Sequence, residues 1–170
     1  MKLSTRSILL KLGVGAVVAT MWLVSAGMFF YMRHHDSRPA SVETANAEFL
    51  KLRTRFANQQ PLLDMSERRA RENAGGPEAV GPVRSFHTVI FDTRGEQRLI
   101  HITAPFWFAR RFARHNTGQF QWLGELTFLD DTEFDPEMIR LSLDQIERHG
   151  PGLIVDYRHS SGGQFMAWVE

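Results

Sequence analysis

The chain has 170 residues and a formal net charge of +1, and it contains no cysteine. Disulfide bonds, lipoprotein attachment and palmitoylation are therefore excluded. All 19 acidic residues and 17 of the 20 Lys and Arg residues lie beyond residue 32, so that part has a net charge of −2. This balance does not indicate a nucleic-acid-binding protein, and we expect no nucleic acid among its partners.

An uncharged segment follows a short basic tail at residues 1–11. Residues 12–32 contain no Asp, Glu, Lys, Arg or His, and Arg33 comes directly after them. At about 1.5 Å of rise per residue this segment reaches roughly 31 Å as a helix, close to the roughly 30 Å hydrocarbon core of a bilayer. The sequence therefore predicts a transmembrane anchor, with the lipid bilayer as the partner of residues 12–32.

A cleavable signal peptide is the alternative interpretation of the same segment. Val24, Ser25 and Ala26 resemble a signal peptidase site, but cleavage after Ala26 would leave the apolar residues 27–32 as a new N-terminus. We therefore favour an uncleaved anchor. The basic tail predicts an N-terminus on the cytoplasmic side, which places residues 33–170 in the periplasm or outside the cell.

Two segments separate the anchor from the C-terminal part. Residues 33–41 are polar and contain Pro39, which is typical of a juxtamembrane linker. Residues 59–85 are rich in charges, glycine and proline, and they indicate a flexible connector or, alternatively, a surface loop that contacts a partner.

An amphipathic helix is predicted at residues 42–58, with Ser41 as its N-cap. Its apolar residues recur at helical spacing and form one stripe: Val42, Ala45, Phe49, Leu52 and Phe56. The stripe is suited to packing on the C-terminal module. The alternative is a homodimer, in which a second copy pairs with this one through Val42, Phe49, Leu52 and Phe56.

Residues 86–170 predict a small α+β module with an antiparallel sheet of two β-hairpins and two or three packed helices. Apolar residues occur on both faces of the first strand, so we expect the sheet to be covered on both sides. Turn residues separate the strands of each predicted hairpin, which are Phe86–Phe91 with Leu99–Thr103 and Leu153–Tyr157 with Phe165–Val169.

A short helix is predicted to begin at Pro105, because proline suits the first helical position. Helical spacing places four aromatic and basic residues on one side, namely Trp107, Arg110, Arg111 and Arg114. These residues are the candidate membrane or partner surface, since arginines suit lipid phosphates and indole rings suit the membrane interface. The alternative is that the aromatic rings are core residues and the arginines are merely solvated.

A second helix is predicted at residues 136–149. Asp135 is its expected N-cap, Pro136 its first residue, and Gly150 the residue that ends it. The acidic run that precedes it does not fit a calcium loop. Pro136 occupies the position of the required glycine, and Ser142 that of the bidentate glutamate.

Catalytic signals are weak in this sequence. The seven histidines do not have the spacing of a zinc motif, and Ser160 and Ser161 lack the frame of a nucleophile elbow. We therefore expect no catalytic residue, metal or cofactor. The enzyme alternative is a metal-dependent or general acid/base hydrolase that uses His87, His101 and nearby carboxylates, where Asp92 or Glu96 could join the two histidines in binding a metal.

Short motifs in the C-terminal half give a family resemblance. They are Ala104–Phe108, Leu143–Ile146, Gly152–Asp156 and the ending Ala167, Trp168, Val169, Glu170. In their order they resemble the bacterial SHOCT-like domains over residues 86–170. The resemblance implies an interaction module of the kind often found in envelope-associated bacterial proteins, and it implies no catalytic residues. With the predicted anchor, we expect a protein of the bacterial inner (plasma) membrane.

Overall fold

The computed structural model describes residues 5–65, 71–72, 81–113, 132–135 and 139–170. The chain divides into two compact units, residues 1–34 and 35–170. The first unit contains helix α1, Thr5–His34. Within it, Gly13–His34 is long and apolar enough to cross a membrane, by length and composition. This range contains most of the predicted anchor.

The second unit is an α+β fold, as predicted, built on an antiparallel sheet. Among the residues that the structure describes, five longer strands lie in the spatial order β1-β5-β4-β7-β6, and the two-residue strands β2 and β3 extend the sheet beyond β6. The strands are β1 His35–Pro39, β2 Leu63–Asp64, β3 Arg71–Glu72, β4 Ser85–Asp92, β5 Arg98–Pro105, β6 Gly152–Arg158 and β7 Gln164–Val169. The helices are α2 Val42–Arg55, α3 Phe106–Ala113 and α4 Leu143–His149.

Both hairpins of the sequence have counterparts in the sheet, β4 with β5 and β6 with β7. The two inner strands, β4 and β7, also pair with each other, so the hairpins form one continuous sheet. Side chains alternate across β4: Phe86 and Ile90 lie in one apolar core, and Val89 and Phe91 lie in the other. The prediction that the sheet is covered on both sides is confirmed.

The two cores have different covering elements. On one face α3, α4 and the segment before α4 contribute Phe106, Ala109, Phe134, Ile139 and Ile146. On the opposite face α2 contributes Ala45, Phe49 and Phe56. Burial of apolar side chains on both faces supplies the main driving force for this arrangement.

Helix α2 begins after Ser41, whose side chain accepts a hydrogen bond from the backbone of Thr44, as predicted for an N-cap. Its stripe packs on the sheet rather than facing outward. Phe49 is fully buried and Phe56 is nearly so, while Val42 is 44% exposed. Phe49 and Phe56 are therefore packed against the sheet of their own chain, and the homodimer through Val42, Phe49, Leu52 and Phe56 stays a prediction.

Segments interpreted as linkers contain parts of the sheet. Residues 35–39, within the expected juxtamembrane linker, form β1 and pair with β5. Leu62 and Leu63, within the expected connector, are buried, and Leu63 lies opposite Val155 of β6. The sequence places the start of the module at residue 86, whereas the compact unit begins at His35. The polar sequence of β1 has no alternating pattern, so only pairing with β5 defines this strand.

The helix predicted from Asp135 to His149 is corrected in its described part, because residues 139–141 are not helical and α4 begins at Leu143. Ser142 is the N-cap of α4, and it forms a capping box in which its side chain and that of Gln145 each bond the other's backbone. Two such bonds satisfy N–H groups that an α-helix leaves open at its start. Helix α4 ends as predicted, since Gly150 has a φ of +74° at the C-cap. Pro136 lies outside the described residues.

Candidate functional site

Helix α3 exposes three of the four residues that the sequence names as a candidate membrane or partner surface. Trp107 is 65% exposed, and Arg110 and Arg111 are exposed as well. Phe106 and Ala109 are buried in the core beneath them and fix the orientation of the helix. Arg114 lies outside the described residues. We call Trp107, Arg110 and Arg111 the α3 surface.

The buried side of α3 contains Phe106 and Ala109, while Phe108 is only partly buried. Pro105 is the last residue of β5, and the helix begins one residue later than predicted, at Phe106. The backbone N–H of Phe106 donates to the carbonyl of Arg84, which ties the start of α3 to the residue before β4.

Strand register places α3 at a defined end of the sheet. His35 of β1 pairs with Ile102 of β5, and Ser85 of β4 pairs with Pro105 of β5. We call this the His35 end, and α3 follows directly from it. The opposite end, which we call the turn end, holds the hairpin turns at residues 93–97 and 159–163.

His87 lies near the His35 end in a half-buried cluster. Its ring stacks on Trp168 with 5.1 Å between centroids, its Nε2 lies 2.9 Å from Ser85 Oγ, and its Nδ1 lies 3.3 Å from Thr103 Oγ1. Glu170 Oε2 is 3.8 Å from Nε2. Burial lowers the pKa of His87, and the nearby Arg55 adds to this effect while Glu170 opposes it. His87 is thus embedded as a packing and hydrogen-bonding residue.

His101 does not join His87 in a shared site. The hairpin has a five-residue turn, so His101 pairs with Val89, while His87 pairs with Thr103. His101 Nε2 lies 3.2 Å from Glu48 Oε1 of α2, without hydrogen-bond geometry. The two histidines therefore face different carboxylates.

The carboxylates named for the hydrolase alternative lie elsewhere. Asp92 is 1% exposed at the turn end, where it accepts a hydrogen bond from the backbone of Arg94, and Glu96 is exposed in the same turn. The arrangement expected for a hydrolase does not form among the described residues.

A polar cluster at the turn end, not found from the sequence, connects both hairpin turns through Glu133. The side chain of Glu133 is 7% exposed. Its Oε1 accepts hydrogen bonds from the backbone N–H and the hydroxyl of Thr93, at 3.1 and 3.0 Å. Its Oε2 accepts one from the Ser161 hydroxyl at 2.7 Å. His159 Nδ1 lies 2.7 Å from the same hydroxyl oxygen. We call these four residues the turn cluster.

Electrostatics in the turn cluster favour an ionised Glu133. Burial raises its pKa, but hydrogen bonds from Ser161 and Thr93 and the proximity of His159 outweigh burial and hold the pKa below its ordinary value. The Ser161 hydroxyl donates to Glu133, whose carboxylate is the acceptor. Gly163 leaves room for this carboxylate, because a Cβ at that position would overlap Glu133 Oε1. Glu133 thus links the two hairpin turns through hydrogen bonds.

A second polar network, also not found from the sequence, joins α2 to the sheet. Arg53 donates to both oxygens of Asp156, at 2.9 and 2.8 Å, and to Oε1 of the fully buried Gln164. Gln164 in turn donates to Asn46 Oδ1. The hydrogen bond and charge of Asp156 raise the pKa of Arg53 despite partial burial. The bidentate geometry fixes α2 in register on the sheet.

The described residues contain no group of three or more His, Cys, Asp or Glu side chains arranged to hold a metal ion. Comparison with protein-family models finds no matching family, and comparison with curated proteins and with solved structures finds no match. The resemblance to SHOCT-like domains therefore stays a prediction.

Proposed function

We propose that the protein is a single-pass bacterial membrane protein whose α+β unit, held outside the cytoplasm, acts as an interaction module of the cell envelope. The anchor is α1, whose apolar side chains, including Met21, Trp22 and Leu23, are exposed to the surroundings of the helix. Such a surface is suited to lipid. Holding the module at a membrane is then part of its function.

The exposed Trp107 carries the proposal that α3 is the interaction surface. A tryptophan side chain exposed to 65% beside two exposed arginines has the composition of a binding surface, since aromatic residues and arginine are enriched at interfaces. Its helix is fixed by buried Phe106 and Ala109, so the side chain is presented from a rigid support. Rigid presentation lowers the entropic cost of binding.

The experiment is photo-crosslinking in native membranes with a benzoylphenylalanine at position 107 of the full-length protein. Leu50 on α2 is a matched control position, because it is equally exposed at 65% and its helix covers the opposite face of the sheet. We expect discrete adducts, to protein or lipid, at position 107 and not at position 50. Absence of adducts at position 107, or the same adducts at both positions, would contradict the proposal.

A further inference from the structure

We infer that the α3 surface binds the anionic phospholipid headgroups of the bilayer that α1 crosses. This inference rests on the proposed function and names the partner of that surface. Three observations carry it: the connection of the chain at His35, the end of the sheet from which α3 extends, and the charges of that end.

The connection at His35 limits how far the sheet can lie from a bilayer. Helix α1 ends at His34 and β1 begins at His35, with no residue between them. The last residue of the uncharged segment, Met32, is three residues away, which even a fully extended chain spans in only about 10 Å. Whatever angle α1 makes with the sheet, His35 therefore stays near the headgroup layer.

Strand register then brings α3 to the same end. His35 pairs with Ile102, and β5 continues for three residues to Pro105 before α3 begins. Trp107 is consequently only five residues along the chain from the residue that pairs with His35. The turn cluster, by contrast, lies at the other end of the sheet, beyond Asp92 and Arg158.

Charge at the His35 end is complementary to phospholipid headgroups. Exposed arginines occur at position 84 before β4, at positions 110 and 111 of α3, and at position 148 near the end of α4. Arg110 lies 3.2 Å from Glu147, and Arg55 lies 2.7 Å from Glu170, so these carboxylates are each paired with an arginine. Asp36 adds one exposed acid near the start of β1.

Arginines and one exposed tryptophan form a combination suited to a membrane interface. Guanidinium groups donate hydrogen bonds to phosphate in bidentate geometry, and an indole ring is favourable at the level of the headgroups. Each basic residue near an anionic surface contributes about 1 kcal/mol, which corresponds to about a fivefold change in an equilibrium constant. The exposed arginines of this end, at positions 84, 110, 111 and 148, therefore favour contact of the module with an anionic surface.

The absence of cysteine from the chain allows a direct test with single-cysteine variants. Full-length Trp107→Cys and Ser160→Cys are labelled with bimane and reconstituted in nanodiscs that contain lipid quenchers and no other membrane protein. Ser160 is exposed in the turn at the opposite end and serves as the control position. We expect strong quenching at position 107 in phosphatidylglycerol-containing discs, weak quenching in phosphatidylcholine alone, and none at position 160.

Charge reversal tests the role of the arginines in the labelled Trp107→Cys protein. Arg84→Glu and Arg111→Glu are each expected to lower the ratio of docked to undocked module at least about fivefold. Arg158→Glu is the matched control, since it makes the same charge change on an exposed arginine at the turn end, and we expect no change. Circular dichroism checks that each variant keeps its fold.

The outcomes separate this inference from the proposed function. The lipid inference is overturned if no quenching occurs at position 107. It is also overturned if quenching there equals that at position 160 or does not depend on lipid charge. A protein adduct at position 107 in native membranes, without quenching in nanodiscs, overturns it as well and leaves the proposed function supported. If neither adducts in native membranes nor quenching in nanodiscs are observed at position 107, both the lipid inference and the proposed function are overturned.

Discussion

At the scale of single residues, Glu133 is hydrogen-bonded to both hairpin turns. Its carboxylate accepts three hydrogen bonds from Thr93 and Ser161 while its side chain is 7% exposed. Buried acceptors of this kind stabilise a fold when they are satisfied and destabilise it when a partner is removed. A mutation at Glu133 is therefore expected to affect both turns together.

Glu133→Gln is expected to lower the free energy of unfolding at pH 7 by about 1–3 kcal/mol, because the amide replaces a charged acceptor by a weaker one. The pKa of Glu133 in the folded protein lies below its ordinary value of 4.5, so its contribution is present above that pH and is lost as the pH falls through the folded pKa. The variant should lose this acid dependence.

Urea titration of the full-length protein in detergent, followed by tryptophan fluorescence at pH 7 and at a series of pH values below 4.5, measures both effects. Glu96→Gln is the matched control, since Glu96 is exposed in the first hairpin turn and should contribute little. Equal losses in the two variants, or an unchanged acid dependence in Glu133→Gln, would refute the role given to the turn cluster.

At the scale of elements, two mutations test which residue is the N-cap of α4. Ser142→Ala removes one half of the capping box and is expected to destabilise α4 by about 1 kcal/mol. Hydrogen exchange of the α4 backbone should then be faster in Ser142→Ala than in Asp135→Ala, which replaces the N-cap expected from the sequence. Faster exchange of α4 in Asp135→Ala would show that the helix starts earlier.

Strand and helix elements differ in how well the sequence defines them. The hairpin strands contain β-branched and aromatic residues around glycine-containing turns, so local pattern suffices to predict them. Strand β1 has the sequence His-Asp-Ser-Arg-Pro, and its conformation depends on β5, which is more than fifty residues away. The start of α4 was predicted too early, since residues 139–141 are not helical and the capping box at Ser142 supplies the hydrogen bonds at the start of this helix.

The candidate sites also differ in how well the sequence predicts them. Helical spacing alone identified Trp107, Arg110 and Arg111 as neighbours on one side of a helix, and all three are exposed. The turn cluster joins Thr93, Glu133 and Ser161 from three separate segments. No local pattern connects residues that only the fold brings together. A partial signal existed in His159 and Ser161, which are two residues apart in a turn.

At the scale of the whole molecule, the position of Ala26 within α1 makes cleavage of the chain testable. Release after Ala26 would remove most of the uncharged segment, but it would leave His35–Glu170, and hence β1, intact. The fold of the module alone therefore does not distinguish an anchored protein from a released one. The mass of the chain and its extraction from membranes distinguish the anchored protein from the released one.

The anchored protein is expected to retain its full mass in membranes and to resist extraction by alkaline carbonate, because an apolar helix of this length is held by the hydrocarbon core. Ala26→Leu serves as the comparison, since a bulky residue there blocks signal peptidase without shortening the apolar segment. Wild type and Ala26→Leu should migrate identically and remain in the membrane fraction. A wild-type species that begins at Gly27 and is soluble, together with an uncleaved Ala26→Leu chain, would contradict the anchor, and with it the membrane docking of the α3 surface.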